Sequence, residues 1–110
     1  MQSSQAEITQ QSQQKYIVSG NVDFSTAPDL LRQADTLFST LSATENKSIV
    51  IDFSKVTECN SAALAWVLEL VKSSRLKNLE VQFENLPTNL QTIAKAYGVE
   101  QEINRLMLKA

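Results

Sequence analysis

At 110 residues, with 12 acidic and 10 basic side chains, the chain fits one domain with a real core. Its formal net charge of −2 offers no basic face for nucleic acid. Hydrophobic residues make up 43 % and charged residues 20 %, as in ordinary globular domains. There is no histidine, which excludes histidine-based acid–base catalysis and histidine zinc sites, and the single cysteine, Cys59, has no intramolecular disulfide partner. No apolar stretch approaches the roughly 18 residues of a membrane span. Met1–Gln14 is Gln/Ser-rich, with only Ala6 and Ile8 as scattered apolar residues after Met1, unlike a signal peptide. These features predict a soluble cytoplasmic protein with no metal, no cofactor and no direct membrane insertion.

Composition predicts disorder for Met1–Gln5, and residues 1–14 read as a flexible tail or a weak edge strand, with the domain running from 15 to 110. Lys15–Val22 reads as a strand in which Gly20 marks a bulge or a close backbone approach. Phe24-Ser25-Thr26-Ala27-Pro28 is a helix start: Ser25 or Thr26 can cap, Pro28 suits the first turn, and Asp29 complements the dipole. Leu30, Leu31, Ala34, Leu37, Phe38 and Leu41 then fall on one helical face. Ser42–Lys47 reads as a polar loop.

Ile49–Phe53 is a short apolar run rich in β-branched residues, which predicts a buried strand followed by a polar turn. An apolar helix begins at Asn60 or Ser61. Ala63, Leu64, Val67, Leu70 and Val71 share the face expected to pack on the sheet, whereas Ser61, Ala62, Ala65, Trp66, Glu69 and Lys72 lie mostly on the other. Trp66 is therefore either an exposed anchor for a partner or the cover of a core edge. Glu69 and Lys72 have the spacing of a solvated ion pair. Leu79–Glu84 alternates as a one-face strand, Thr88 is expected to cap the next helix, and Gly98 is placed to end it. Val99–Leu108 predicts a last short helix. The alternation argues an α/β layer structure with parallel pairing at its centre.

Three segments carry a resemblance to a known family. Val18-Ser19-Gly20-Asn21-Val22-Asp23, Ile51-Asp52-Phe53-Ser54-Lys55-Val56 and Asn60-Ser61-Ala62-Ala63-Leu64 together resemble a STAS domain, over roughly Lys15 to Met107. The segment Leu90–Val99 is similar to the corresponding helix of MlaB-type subunits, the small STAS subunits of bacterial phospholipid-transport ABC complexes. The resemblance implies an α/β fold with a mixed sheet of about four strands and three to four helices. It also implies a non-enzymatic partner of a cytoplasmic ABC ATPase subunit, associated with the inner-membrane permease only indirectly. Docking would run through Asn60, Ser61, Ala62, Ala65, Trp66 and Glu69. An anti-sigma-factor antagonist switched by phosphorylation of Ser61 is the alternative within the family. Asn60 stands where the family usually has Asp, and Ala62-Ala63 where it usually has glycine. These departures weaken the phosphoswitch more than the docking, because they remove a charge and add side chains at the helix start.

The residues themselves argue against catalysis. Ser61 has no histidine and no Ser-x-x-Lys lysine to take its proton. The helix dipole favours a thiolate at Cys59, yet with no base partner it reads as a small, buried or half-buried side chain. Asn60 and Ser61 both suit a helix N-cap. Asp52 is expected to bond turn amides after its strand, and Asp23 and Asp29 to serve the first helix entry.

Overall fold

A computed structural model describes residues 6–41 and 48–107, and for Leu41 the backbone alone. The expectations for Met1–Gln5 and Ser42–Lys47 lie outside the described residues. In chain order the elements are β1 (Glu7–Gln10), β2 (Lys15–Val22), α1 (Ala27–Leu41), β3 (Ser48–Cys59), α2 (Ser61–Leu76), β4 (Glu80–Glu84), α3 (Thr88–Ala96) and α4 (Glu100–Leu106). The strands form one four-stranded sheet in the order β1-β2-β3-β4. β1 runs antiparallel to β2, while β2–β3 and β3–β4 are parallel. This is the mixed α/β sheet that the alternation predicted. Residues 7–10 enter it as an edge strand.

Both parallel crossovers step the same way across the sheet, so right-handed connections put α1 and α2 on one face. The helices touch accordingly: α1 meets α2, α2 meets α3, and α3 meets α4. Alternate strand residues Ile8, Tyr16, Val18, Val22, Ile49, Ile51, Phe53, Val81 and Phe83 are buried toward that layer. Tyr16 meets Phe38 of α1 edge-on with centroids 5.1 Å apart, and Phe53 meets Phe83 at 5.9 Å. The opposite face carries none of these helices and presents Thr9, Ile17, Val50, Asp52, Gln82 and Glu84.

The polar turn expected after Phe53 is instead strand. β3 continues through Ser54–Cys59 beside β2 alone, beyond the last β4 pair at Asp52↔Glu84. With one neighbouring strand there is little to bury, so polar residues are tolerated. Two register shifts insert extra residues in β3, between Ile17 and Ser19 and between Gly20 and Asn21 of β2. Gly20, at φ 93°, lies on the strand opposite the second insertion, next to the irregularity that its bulge-or-close-approach reading expects. Asp52 thus lies inside β3 rather than after it. At the first bulge its carboxylate accepts the Ser54 N–H at 2.8 Å, along with the Ser54 hydroxyl at 3.1 Å and Asn85 Nδ2 at 2.9 Å. Lys15 Nζ lies 3.9 Å away and also pairs with Glu84 at 3.0 Å. Burial pushes the Asp52 carboxyl up, but the bonds from Asn85 and Ser54 and the charge of Lys15 together hold it below the usual range.

Two caps differ from expectation. At α1 the side-chain cap is Asp23, whose Oδ1 accepts the N–H groups of Ser25 at 2.9 Å and Thr26 at 3.1 Å. Thr26 Oγ1 returns the favour by accepting the Asp23 N–H at 2.9 Å, the reciprocal arrangement of a capping box. At α3 the N-cap is Pro87 with no side-chain bond, so Thr88 is the first helical residue and not the cap. Gly98, at φ 78°, ends α3 as predicted: its N–H reaches Lys95 O, and that of Val99 reaches Ala94 O.

Candidate functional site

The start of α2 is pinned to the sheet. Val22 pairs with Cys59 at the ends of β2 and β3, and the Asn60 N–H then bonds Val22 O at 3.3 Å. Asn60 is extended (φ −134°, ψ −160°), and its Oδ1 accepts the Ala62 N–H at 2.8 Å. Of the two candidate caps, Asn60 alone performs the task. Ser61 is left half-buried at the first helical position, its hydroxyl without a hydrogen bond to any described residue. It sits where free N–H groups and the positive end of the dipole meet.

Next to it the structure brings together part of the predicted set. Ala62, Ala65, Trp66 and Glu69 of α2 line a shallow apolar groove of about 340 Å³, whose other wall is Phe24, Ala27, Pro28 and Leu31 of α1. Ala65 and Glu69 are exposed, and Ala62 forms buried floor. Ala63 is wholly buried, so it adds nothing to the outer surface. Trp66 is not an exposed anchor: at 2 % exposure it is core, tilted against Phe53 with centroids 5.9 Å apart. The helical wheel assumed one packed face. In fact α2 is the central helix of its layer, flanked by α1, α3 and the sheet, and it buries a wider arc. Glu69 and Lys72 are exposed without pairing with each other.

Phe24, 70 % exposed, is the side chain that sequence reasoning missed. Its signal was a large aromatic in the polar turn that enters α1, directly after the Asp23 cap. The groove lies toward the N-terminal ends of α1 and α2. Farther along, the same two helices are clasped by polar contacts: Ser73 Oγ to Asp35 at 3.2 Å, Lys77 Nζ to Ser73 Oγ at 3.3 Å, and Lys77 to Asp35 at 3.9 Å.

On the other side of Asn60 a polar hollow is lined by Asn21, Asp23, Thr57, Glu58, Cys59 and Asn89. Asn89 Nδ2 donates to Cys59 O at 2.9 Å, and the Cys59 thiol reaches Asn89 Oδ1 at 3.4 Å. Burial pushes the thiol up, outweighing the Asn89 bond, which leaves it a poor thiolate. The Ser25 hydroxyl, at 2.6 Å, leads the hydrogen bonds that hold Asp23 below the usual range. Among the described residues no three His, Cys, Asp or Glu side chains converge as a metal site. The predicted residues are thus divided: Ala62, Ala65, Trp66 and Glu69 line the apolar groove, Asn60 lines the polar hollow, and Ser61, whose hydroxyl bonds no described residue, precedes Ala62 without lining either.

A family model described as "Mlab, STAS domain" matches residues 8–109. The chain belongs to the STAS domain family. Among solved structures it is similar to the anti-sigma factor antagonist SpoIIAA in its unphosphorylated form, with 11 % identity and a TM-score of 0.67, covering 96 % of this chain and 87 % of that one. It is also similar to the phosphorylated form of SpoIIAA, described as a Bacillus cell fate determinant, with 12 % identity and a TM-score of 0.65, covering 96 % and 90 %. At these identities the likeness is one of fold. No curated protein matches the sequence. STAS domains are in general binding and regulatory modules. Among the described residues no helix is long and apolar enough to cross a membrane.

Proposed function

We propose that this STAS domain is a non-enzymatic accessory subunit of an ABC-type phospholipid transporter of the kind that maintains outer-membrane lipid asymmetry. It docks on the transporter's cytoplasmic ATPase through the start of α2 and is held at the inner membrane only through that complex. The observation that carries the reading is the Ser61 hydroxyl, which bonds no described residue and directly precedes Ala62 of the Phe24–Trp66 groove, with the capping duty discharged by Asn60. A residue needed only for folding would be the cap. A contact residue is relieved of that task, and here an apolar surface lies beside it.

The phosphorylation-controlled antagonist of an anti-sigma factor is the second reading, supported by the same hydroxyl and by the fold shared with SpoIIAA. A phosphate on Ser61 would add about −1.5 to −2 charges at the groove's edge, stabilised by the dipole but opposed to an apolar partner. Affinity capture of the tagged chain from its native cells, with mass spectrometry of its partners and of the Ser61 peptide, separates the two. The transporter reading expects an ABC ATPase and an unmodified Ser61. A serine kinase with phosphorylated Ser61 would replace it by the switch.

A further inference from the structure

The far end of α2 borders a second concave surface, independent of the docking site. β4 is an edge strand: among the described residues its outer side meets only Met107, bridged in parallel to Phe83. The stretch Glu80–Gln82 is therefore left as an open edge, and exposed edges are templates for another strand. This one is not bare. It lies in a hollow of about 490 Å³ walled by Val71 and Arg75 of α2 and by Arg105 and Leu106 of α4. Arg75 and Arg105 are both exposed, and neither forms an ion pair with a described residue. They also frame an adjoining apolar depression with Leu68, Lys72 and Leu76, and Leu76 is 83 % exposed. Against these cations stand Glu80 in the hollow and Glu102 in the depression.

We infer that this hollow takes an extended acidic peptide segment of a partner protein, added as a strand beside Glu80–Gln82. Main-chain bonds to β4 supply the pairing, as in strand-addition complexes. The two guanidinium groups select carboxylates through charge-assisted bonds, and alternate apolar side chains meet Val71, Leu79 and Leu106. Met107 already demonstrates that this edge accepts a parallel neighbour. Ser61 and Arg75 are fourteen helical residues apart, about 21 Å along the axis, so the two surfaces can be occupied separately.

The test uses the full chain and a fluorescent eight-residue peptide alternating valine with aspartate or glutamate, followed by anisotropy and by amide NMR shifts. Salt-sensitive binding is expected, with shifts grouped at residues 79–83 and 105–107. Arg75→Glu with Arg105→Glu should weaken it about tenfold or more, and a lysine-for-acid peptide should recover affinity for that variant. Both arginines are exposed, so the variant keeps its fold, which its amide spectrum verifies. Ser61→Asp should leave peptide binding unchanged. Absence of binding at millimolar peptide, equal binding of acidic and basic peptides, or shifts grouped instead at the α1–α2 groove would overturn the assignment. So would protection of the β4 edge by a second copy of the chain.

Discussion

The two ends of α2 are each finished by an asparagine, and they are finished in opposite ways. At the N-terminal end Asn60 stays extended and caps with its side chain, which leaves the next hydroxyl uncommitted beside an open groove. At the C-terminal end Asn78 takes a left-handed conformation (φ 59°), and its backbone closes the helix: its N–H bonds Arg75 O and the Leu79 N–H bonds Ser74 O. That end is locked further by the Ser73–Asp35–Lys77 clasp and by buried Leu79. At the N-terminal end one hydroxyl is left uncommitted near a groove, whereas at the C-terminal end the backbone is closed and the exposed Arg75 side chain faces the β4 hollow. On the proposed function, the open N-terminal end, with exposed Phe24 beside it, is where the ATPase docks.

The contrast can be broken most severely from the middle. Trp66→Ala removes the floor of the groove and the contact with Phe53, and should cost about 3–5 kcal/mol in denaturant unfolding. An exposed anchor would cost far less. Outside α2, Asp52→Ala leaves the Ser54 N–H and Asn85 amide unpaired and should cost about 1–3 kcal/mol. Because the folded-state pKa of Asp52 lies below the ordinary 3.8, its charge stabilises the fold above that value. That contribution disappears as pH falls through the folded-state pKa, so a stability profile of Asp52→Asn should lose this part of the acid limb. At the two ends, Asn60→Ala and Asn78→Ala should each cost about 1 kcal/mol, one for a lost cap and the other for left-handed strain. Only the first lies at the end of α2 proposed to dock on the ATPase, since Asn78 lines the β4 hollow instead. Measured in one thermal series, the pair should separate in partner capture and not in stability. The smallest effect belongs to Ser61→Ala, within about 0.5 kcal/mol of the parent, since Ser61 is not the cap.

Much of this was legible in the residues. The element order, the helix start at Asn60–Ser61 and the end of α3 at Gly98 follow from local chemistry that a sequence displays directly. What was not legible depended on neighbours. Ser54–Glu58 looks like a turn because it is polar, but a strand flanked on one side only can be polar. The wheel leaves Trp66 either an exposed anchor or the cover of a core edge, and only the packing of the helix on three sides decides for the core. Ser25 and Thr26 both have cap chemistry, and nothing local says that Asp23 at the helix entry supplies the acceptor for their N–H groups. The candidate site was half legible: the helix start was marked by its residue types, while the α1 wall of the groove came from topology.

On the proposed function, Ser61 serves the partner and not the fold. The most direct test measures both properties on one Ser61→Asp sample: unfolding free energy, and capture of the ATPase from native cells. Parental stability within about 0.5 kcal/mol is expected, since an acidic residue suits a helix start, together with loss of the ATPase. Recovery of the ATPase at the parental level from an equally stable variant would contradict it.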